Sequence, residues 1–167
     1  MDTSLNTNSI AFIGLCNEYC ISIENAKETA RDAFIDNMLR LLPRIYIAAT
    51  DLQIDILEED DQFIENILDE DYYDALRRNM EVLLGEDDVY LEVFEEDMKY
   101  SDTPVAASIS EGLSDLFQVL YNFINTIRDS TDTTVKLALV NVRDDFRSYW
   151  SAPLCNVLRA LNHLKMN

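Results

Sequence analysis

Residues 108–127, SISEGLSDLFQVLYNFINTI, carry the clearest helical pattern in the chain. Their apolar side chains recur at steps of three and four, which places them on one face of an α-helix. They are Ile109, Leu113, Leu116, Phe117, Leu120, Phe123, Ile124 and Ile127. Ser108 and Glu111 have the spacing of a capping box, and Thr103-Pro104 offers an earlier start. We therefore expect an amphipathic helix that begins between residues 103 and 108.

The same spacing recurs over residues 10–23, 26–52, 71–84 and 135–164. The first segment is apolar around almost its whole circumference, which is typical of a helix at the centre of a bundle. Pro43 and Pro153 lie inside the second and the last segment, where the missing N–H is expected to kink the helix, or to split the second one in two. A short helix is also predicted over residues 61–68. Residues 87–100 mix strand-like and helical spacing, so an irregular connection is expected there.

The composition indicates one helical domain. The chain has 167 residues, 48% of them apolar, with only three Gly and three Pro. That is too few turn-forming residues for an all-β fold, which needs a turn about every 8–12 residues. Long helices with short connectors favour antiparallel neighbours, so we predict an all-α, single-domain, up-and-down bundle of about five to six helices over residues 1–167. Proline kinks and an acidic, partly irregular middle segment complete the predicted architecture.

The negative charge is concentrated in the middle third of the chain. The formal net charge is −19, and residues 51–102, here called the acidic flank, hold 20 acids against three bases. The acids form clusters at residues 58–61, 69–71, 86–88 and 95–97. Because apolar and aromatic residues separate the clusters, we expect a packed surface and not a disordered tail.

Four roles are open for the acidic flank: a solvated surface, a docking site for a basic protein, a weak cation site, or an imitation of DNA phosphates. Loose carboxylates bind cations weakly unless a rigid loop brings several oxygens together. A basic partner would bind with strong salt dependence. The net charge itself disfavours direct binding to nucleic acid or to an anionic membrane. The sequence does not indicate an oligomeric state.

The residue inventory argues against most enzyme classes. The single histidine, His163, lies close to the end of the chain, and no glycine-rich phosphate loop or E-x-x-H pair is present. Serine and cysteine nucleophiles normally need a histidine base, and nucleotide sites need such loops. We therefore favour a protein that is not an enzyme and has no cofactor. The absence of a signal-peptide pattern and the low, odd cysteine count predict a cytoplasmic location.

Two groups of residues are nevertheless candidate sites. Cys16 and Cys20 share one helical face, while Cys155 and His163 lie on the last predicted helix. Together they would bind zinc if these helices pack against each other. The alternative is that each cysteine is a small apolar core residue.

The second group consists of Arg143, Arg147, Tyr149 and Trp150. The two arginines are four residues apart and project on the same side of a helix. In a cleft they would hold an anionic ligand, whereas at the surface they would pair with nearby acids. Trp150, the only tryptophan, either lines that cleft or packs in the core.

The C-terminal third carries a recognisable set of residues: Phe146, Tyr149-Trp150, Asn156 and Leu158-Arg159-Ala160-Leu161. Together with residues 18–20, residues 41–43 plus Tyr46, and residues 90–94, it resembles an uncharacterised bacterial helical family known only as a domain of unknown function. Members often have glycine after the tryptophan, whereas this chain has Ser151 there. Asn162-His163 directly follows Leu158-Arg159-Ala160-Leu161. The resemblance implies an all-helical cytoplasmic domain and supplies no catalytic residue.

These observations favour an acidic helical domain that binds the basic surface of another protein. The alternatives are a ligand-binding or enzymatic domain with a cleft near Arg143, Arg147 and Trp150, and a zinc protein that uses the cysteines and His163.

Overall fold

The computed structural model describes residues 5–55, 64–92, 99 and 104–166. In these residues the α-helices are α1 (Thr7–Glu24), α2 (Arg31–Thr50), α3 (Glu70–Leu84), α4 (Ile109–Ile127), α5 (Asp132–Asp145) and α6 (Ser151–Met166). Two three-residue strands, β1 (Val89–Leu91) and β2 (Ala106–Ser108), pair antiparallel. The all-α fold predicted from the helical spacing is confirmed.

Four of the helices form a closed ring. Helix α1 packs against α2 and α4, and α6 packs against the same two helices from the opposite side. Helices α3 and α5 each pack against α4, which therefore has neighbours on most of its surface. The buried apolar side chains form one cluster inside this arrangement. The stripe of apolar residues on α4 lies at its centre because this helix contacts four others.

Helix α4 begins at the later of the two predicted starts. The Ser108 hydroxyl accepts a hydrogen bond from the N–H of Glu111 at 3.2 Å, as expected for an N-cap. Pro104 does not start the helix, because residues 106–108 are extended and paired with β1. The pairing brings β1 beside the first turn of α4.

The two internal prolines have different consequences. Pro43 lies inside α2, which continues from Arg31 to Thr50 without the predicted split. Pro153 follows a single π-helical turn, Phe146–Trp150, in which the N–H of Ser151 donates to the carbonyl of Phe146, five residues earlier. Helices α5 and α6 are thus joined end to end through one widened turn.

The predicted short helix over residues 61–68 is wrong in its described part. Residues 64–69 are not helical. Instead, the Asn122 side chain accepts hydrogen bonds from the N–H groups of Ile67 and Leu68, at 3.0 and 2.8 Å. The Thr126 hydroxyl accepts one from the N–H of Glu65, at 3.0 Å. These bonds to α4 replace the helical bonds that the segment would make with itself.

Helix α1 also departs from the prediction, since it does not lie at the centre of the bundle. Phe12, Cys16 and Tyr19 are buried, whereas Ile10 and Ile21 on the opposite face are largely exposed. The helix occupies one position in the ring and has neighbours only on its inner side. The apolar composition around its circumference predicted neighbours on all sides, whereas only its inner side is covered by other helices.

Candidate functional site

Trp150 belongs to the core and does not line a cleft. Its side chain is fully buried, and its indole N–H donates to the carbonyl of Val142 at 2.9 Å. Its ring centre lies 4.6 Å from that of Phe146 and 6.4 Å from that of Phe12. The core alternative for this tryptophan is the one that the structure supports.

The other residues of the predicted arginine and aromatic cluster lie outside the core. Arg143 is paired with its neighbour Asp144, with 3.3 Å between guanidinium and carboxylate atoms, and Arg147 and Tyr149 are exposed. Partial burial, together with the negative charge of Asp115, raises the pKa of Tyr149. The structure does not bring these three side chains and Trp150 to a common cavity, because the tryptophan points inward and the others outward.

The four residues of the predicted zinc site are also separated. Cys16 and Cys20 are buried, whereas Cys155 and His163 are exposed on α6. Among the described residues, no three His, Cys, Asp or Glu side chains lie close enough together to hold a metal ion. The zinc alternative therefore gains no geometric support. Elemental analysis of the purified protein tests it directly.

The three thiols are expected to differ strongly in reactivity. Burial and the nearby Cys20 raise the pKa of Cys16, while burial and the charge of Glu24 raise the pKa of Cys20 to about 12. Iodoacetamide reacts with the thiolate, so it should modify Cys155 quickly in the folded protein. The two buried thiols should react at least about a thousandfold more slowly, because they become accessible only on unfolding.

Mass spectrometry of the labelled protein over time measures this difference. The variant Cys155→Ser should lose the fast phase and keep the slow one. Fast labelling of two or three thiols in the wild-type protein would contradict the placement of Cys16 and Cys20.

The described part of the acidic flank is a folded surface built on α3. The inner face of this helix buries Leu76, Met80 and Leu84. The exposed acids in the described part of the flank are Asp51, Asp55, Glu65, Asp69, Glu70, Asp71, Glu81, Glu86 and Asp87. The clusters 58–61 and 95–97 lie outside the described residues. The structure thus places two of the four predicted acidic clusters, on one helix and the turn that follows it.

Ion pairs and caps use part of this charge. Asp87 pairs with Arg31 of α2, and Glu81 pairs with Arg77 one turn earlier at 2.8 Å. Asp69 caps α3 by accepting a hydrogen bond from the N–H of Asp71 at 3.1 Å. Exposed pairs of this kind contribute little to stability. The carboxylates of the flank therefore lie mostly at the surface and contribute little to the stability of the fold.

Two polar contacts hold α3 and its following turn against the bundle. The Tyr73 hydroxyl donates to Asp115 of α4 at 2.6 Å, and burial and this bond raise the pKa of Tyr73. Asp88, which is buried, accepts hydrogen bonds from the N–H and the hydroxyl of Ser110, at 2.7 and 2.6 Å. A carboxylate at the first turn of α4 is also favoured by the helix dipole.

Exposed apolar side chains occur between these acids. Val82 on α3 is 83% exposed, and Val89 and Leu91 of β1 are exposed as well. Their neighbours in the sequence include Glu81, Glu86 and Glu92. Val82 lies on the side of α3 opposite to Leu76, Met80 and Leu84, at the 100° per residue of an α-helix, so its exposure agrees with its position on the helix.

Comparison with known proteins agrees with this architecture. The sequence model of a family described as a domain of unknown function, DUF5063, matches residues 3–167. The chain belongs to the DUF5063 family. This confirms the resemblance noted from residues 144–164 and the other landmarks.

A solved structure of another protein has a similar fold. The crystal structure of protein BF1032 from Bacteroides fragilis, a Northeast Structural Genomics Consortium target, matches with a TM-score of 0.81 and 27% sequence identity. The match covers 98% of this chain and 96% of that one. The comparison with curated proteins found no match. Within the described residues, no helix combines the length and hydropathy that crossing a bilayer requires.

Proposed function

We propose that this DUF5063 chain is a non-enzymatic cytoplasmic protein that binds a basic partner protein through its acidic flank. The observation that supports this most is the mixed chemistry of α3 and β1. Exposed carboxylates there stand next to exposed Val82, Val89 and Leu91. A surface that only keeps a protein in solution needs the charges and not the exposed apolar groups.

The partner chemistry follows from the charge of this surface. Residues 64–92 hold ten acids and two arginines. Lysine and arginine side chains on a partner would be attracted at long range and would set its orientation. The exposed valine and leucine side chains would then supply apolar contacts at short range. We expect a partner surface that combines basic and aliphatic residues.

The anchoring of the flank favours binding. Asn122, Thr126, Asp115 and Ser110 hold its described part against α4 through the bonds given above. A surface that is already ordered loses little conformational entropy when a partner docks. Helix α3 and strand β1 would therefore form a binding surface that is already ordered before the partner arrives.

The test compares two triple variants in which equal charge is removed. The flank variant neutralises three exposed acids, Glu70→Gln, Asp71→Asn and Glu86→Gln. The control variant neutralises three exposed acids elsewhere, Glu18→Gln, Glu28→Gln and Asp132→Asn. Each is used with the wild-type protein to capture partners from the native lysate at low salt and at about 1 M salt, where the Debye length falls to about 3 Å.

The expected result is a partner that mass spectrometry identifies at low salt, and that is lost at high salt and with the flank variant. The purified partner should then bind the flank variant about tenfold more weakly than the control variant, measured by calorimetry. Equal affinity for the two variants, or capture that salt does not weaken, would contradict the proposal.

A further inference from the structure

A groove of about 530 Å³ lies between α2 and α6, and all of its lining residues belong to these two helices. Leu39 and Pro43 of α2 form one wall. Leu158 and Met166 of α6 form the other. Its volume falls in the range of about 300–1,000 Å³ that is usual for small-molecule sites.

The α2 wall has an unusual backbone. Pro43 has no N–H, so the carbonyl of Leu39 cannot accept its usual helical hydrogen bond. Both residues line the groove. The α2 wall thus combines aliphatic side chains with one carbonyl that lacks its usual helical donor.

One part of the groove carries polar donors. Arg159 and Asn162 of α6 contribute there, and no Asp or Glu belongs to the described lining. Arg159 is held in position because one of its nitrogens donates to the carbonyl of Leu91 at 2.6 Å. Its guanidinium also lies 5.8 Å from the ring centre of Tyr90. The remaining guanidinium N–H groups can still donate to a ligand.

One acid of α2 is paired with a base of α6. Asp36 of α2 pairs with Lys165 of α6 at 2.8 Å, and helix α6 itself contains no acid. Glu92, which accepts a hydrogen bond from Tyr90 at 3.2 Å, is the acid beside Arg159 and does not belong to the lining. In a chain with a net charge of −19, the lining itself thus carries one positive charge and no acid.

We propose that the groove binds an amphipathic carboxylate, with an aliphatic chain along Leu39, Pro43, Leu158 and Met166 and a carboxylate at Arg159 and Asn162. The guanidinium fork matches the geometry of a carboxylate, and the aliphatic walls match an unbranched chain. This inference does not depend on the proposed function of the acidic flank.

The thiol of Cys155 gives a direct readout, because it also lines the groove and is exposed. The probe is decanoate below its micelle-forming concentration, and the measurement is the rate at which iodoacetamide labels Cys155. Decanoate should slow labelling in a saturable way. Acetate, which lacks the chain, and decylammonium, which has the opposite charge, should not. Equal protection by decylammonium, or no protection by decanoate, would overturn the proposal.

Two matched variants test the position of the chain. Met166→Glu adds a negative charge inside the groove, at a residue that is 71% exposed, and should abolish protection by decanoate. Val82→Glu adds the same charge at an exposed residue on α3 and should leave it unchanged. Circular dichroism verifies that both variants are folded. Equal decanoate affinity in the two variants would overturn the assignment of the site.

A third variant tests the carboxylate. Arg159→Gln should weaken decanoate binding about tenfold, because a hydrogen bond to a charged group is lost. It should leave the weaker binding of decanol unchanged, since decanol makes only the aliphatic contacts. An equal loss for both compounds would show that the arginine acts on the groove's shape and would overturn its role as the anion contact.

Discussion

Replacing Trp150 with alanine is expected to lower the free energy of unfolding by about 3–5 kcal/mol. The side chain is fully buried and packs between Phe146 and Phe12, so its removal leaves a cavity. The carbonyl of Val142 also loses the indole N–H. Because domains of this kind are stable by only about 5–15 kcal/mol, the variant should unfold at much lower urea concentration.

Urea unfolding followed by circular dichroism measures the effect. The matched control is Tyr149→Ala, which removes the neighbouring aromatic ring at a residue that is 52% exposed and should cost less than about 1 kcal/mol. Trp150→Phe keeps most of the volume and isolates the loss of the hydrogen bond. Similar losses for the alanine variants at 149 and 150 would contradict the placement of the tryptophan in the core.

Replacing Gly112 with alanine is expected to destabilise the protein by about 1–3 kcal/mol, although alanine is the better helix former. A Cβ at this position in α4 would lie 2.4 Å from the Cγ1 atom of Val157 in α6. Val157 is fully buried and branched at Cβ, so it has little freedom to move away. The steric overlap should therefore exceed the gain of up to about 1 kcal/mol in helix propensity.

The matched control is Gly14→Ala in α1, where a Cβ would have no other atom within 4 Å. This variant should gain up to about 1 kcal/mol, again measured by urea unfolding. The double variant Gly112→Ala/Val157→Ala should lose less stability than the sum of the two single variants, because Val157→Ala removes the Cγ1 atom that the new Cβ would overlap. Strict additivity, or a stable Gly112→Ala protein, would contradict the close approach of α4 and α6.

Local patterns in the sequence predicted the elements but not the contacts between them. The spacing on α4 indicated which residues are buried, because period and burial coincide on an amphipathic helix. The prediction of a helix over residues 61–68 is wrong in residues 64–68 because their partner, Asn122, lies more than fifty residues away and no local pattern shows it. The four residues of the zinc alternative are apart for a similar reason, since sharing a helix face does not bring two helices together.

The candidate surfaces likewise include features that the sequence predicts and features that it does not. The concentration of acids over residues 51–102 was visible in the sequence and predicted a charged face. The exposure of Val82 agrees with its position opposite the buried face of α3, whereas the groove beside Pro43 depends on how α2 and α6 pack and no local pattern predicts it. Trp150 was compatible with either a cleft or the core, and its inward direction became clear only from its contacts with Phe12 and Val142.

The widened turn at residues 146–150 has a consequence for how sequences of this fold can vary in length. One residue in an α-helix corresponds to a rotation of about 100°. The extra residue in this turn therefore sets the angular phase at which Leu154, Val157 and Leu161 enter the bundle. A chain shortened by one residue here would present a different side of α6 to the ring, so deletions should be tolerated in the connecting loops and not at this junction.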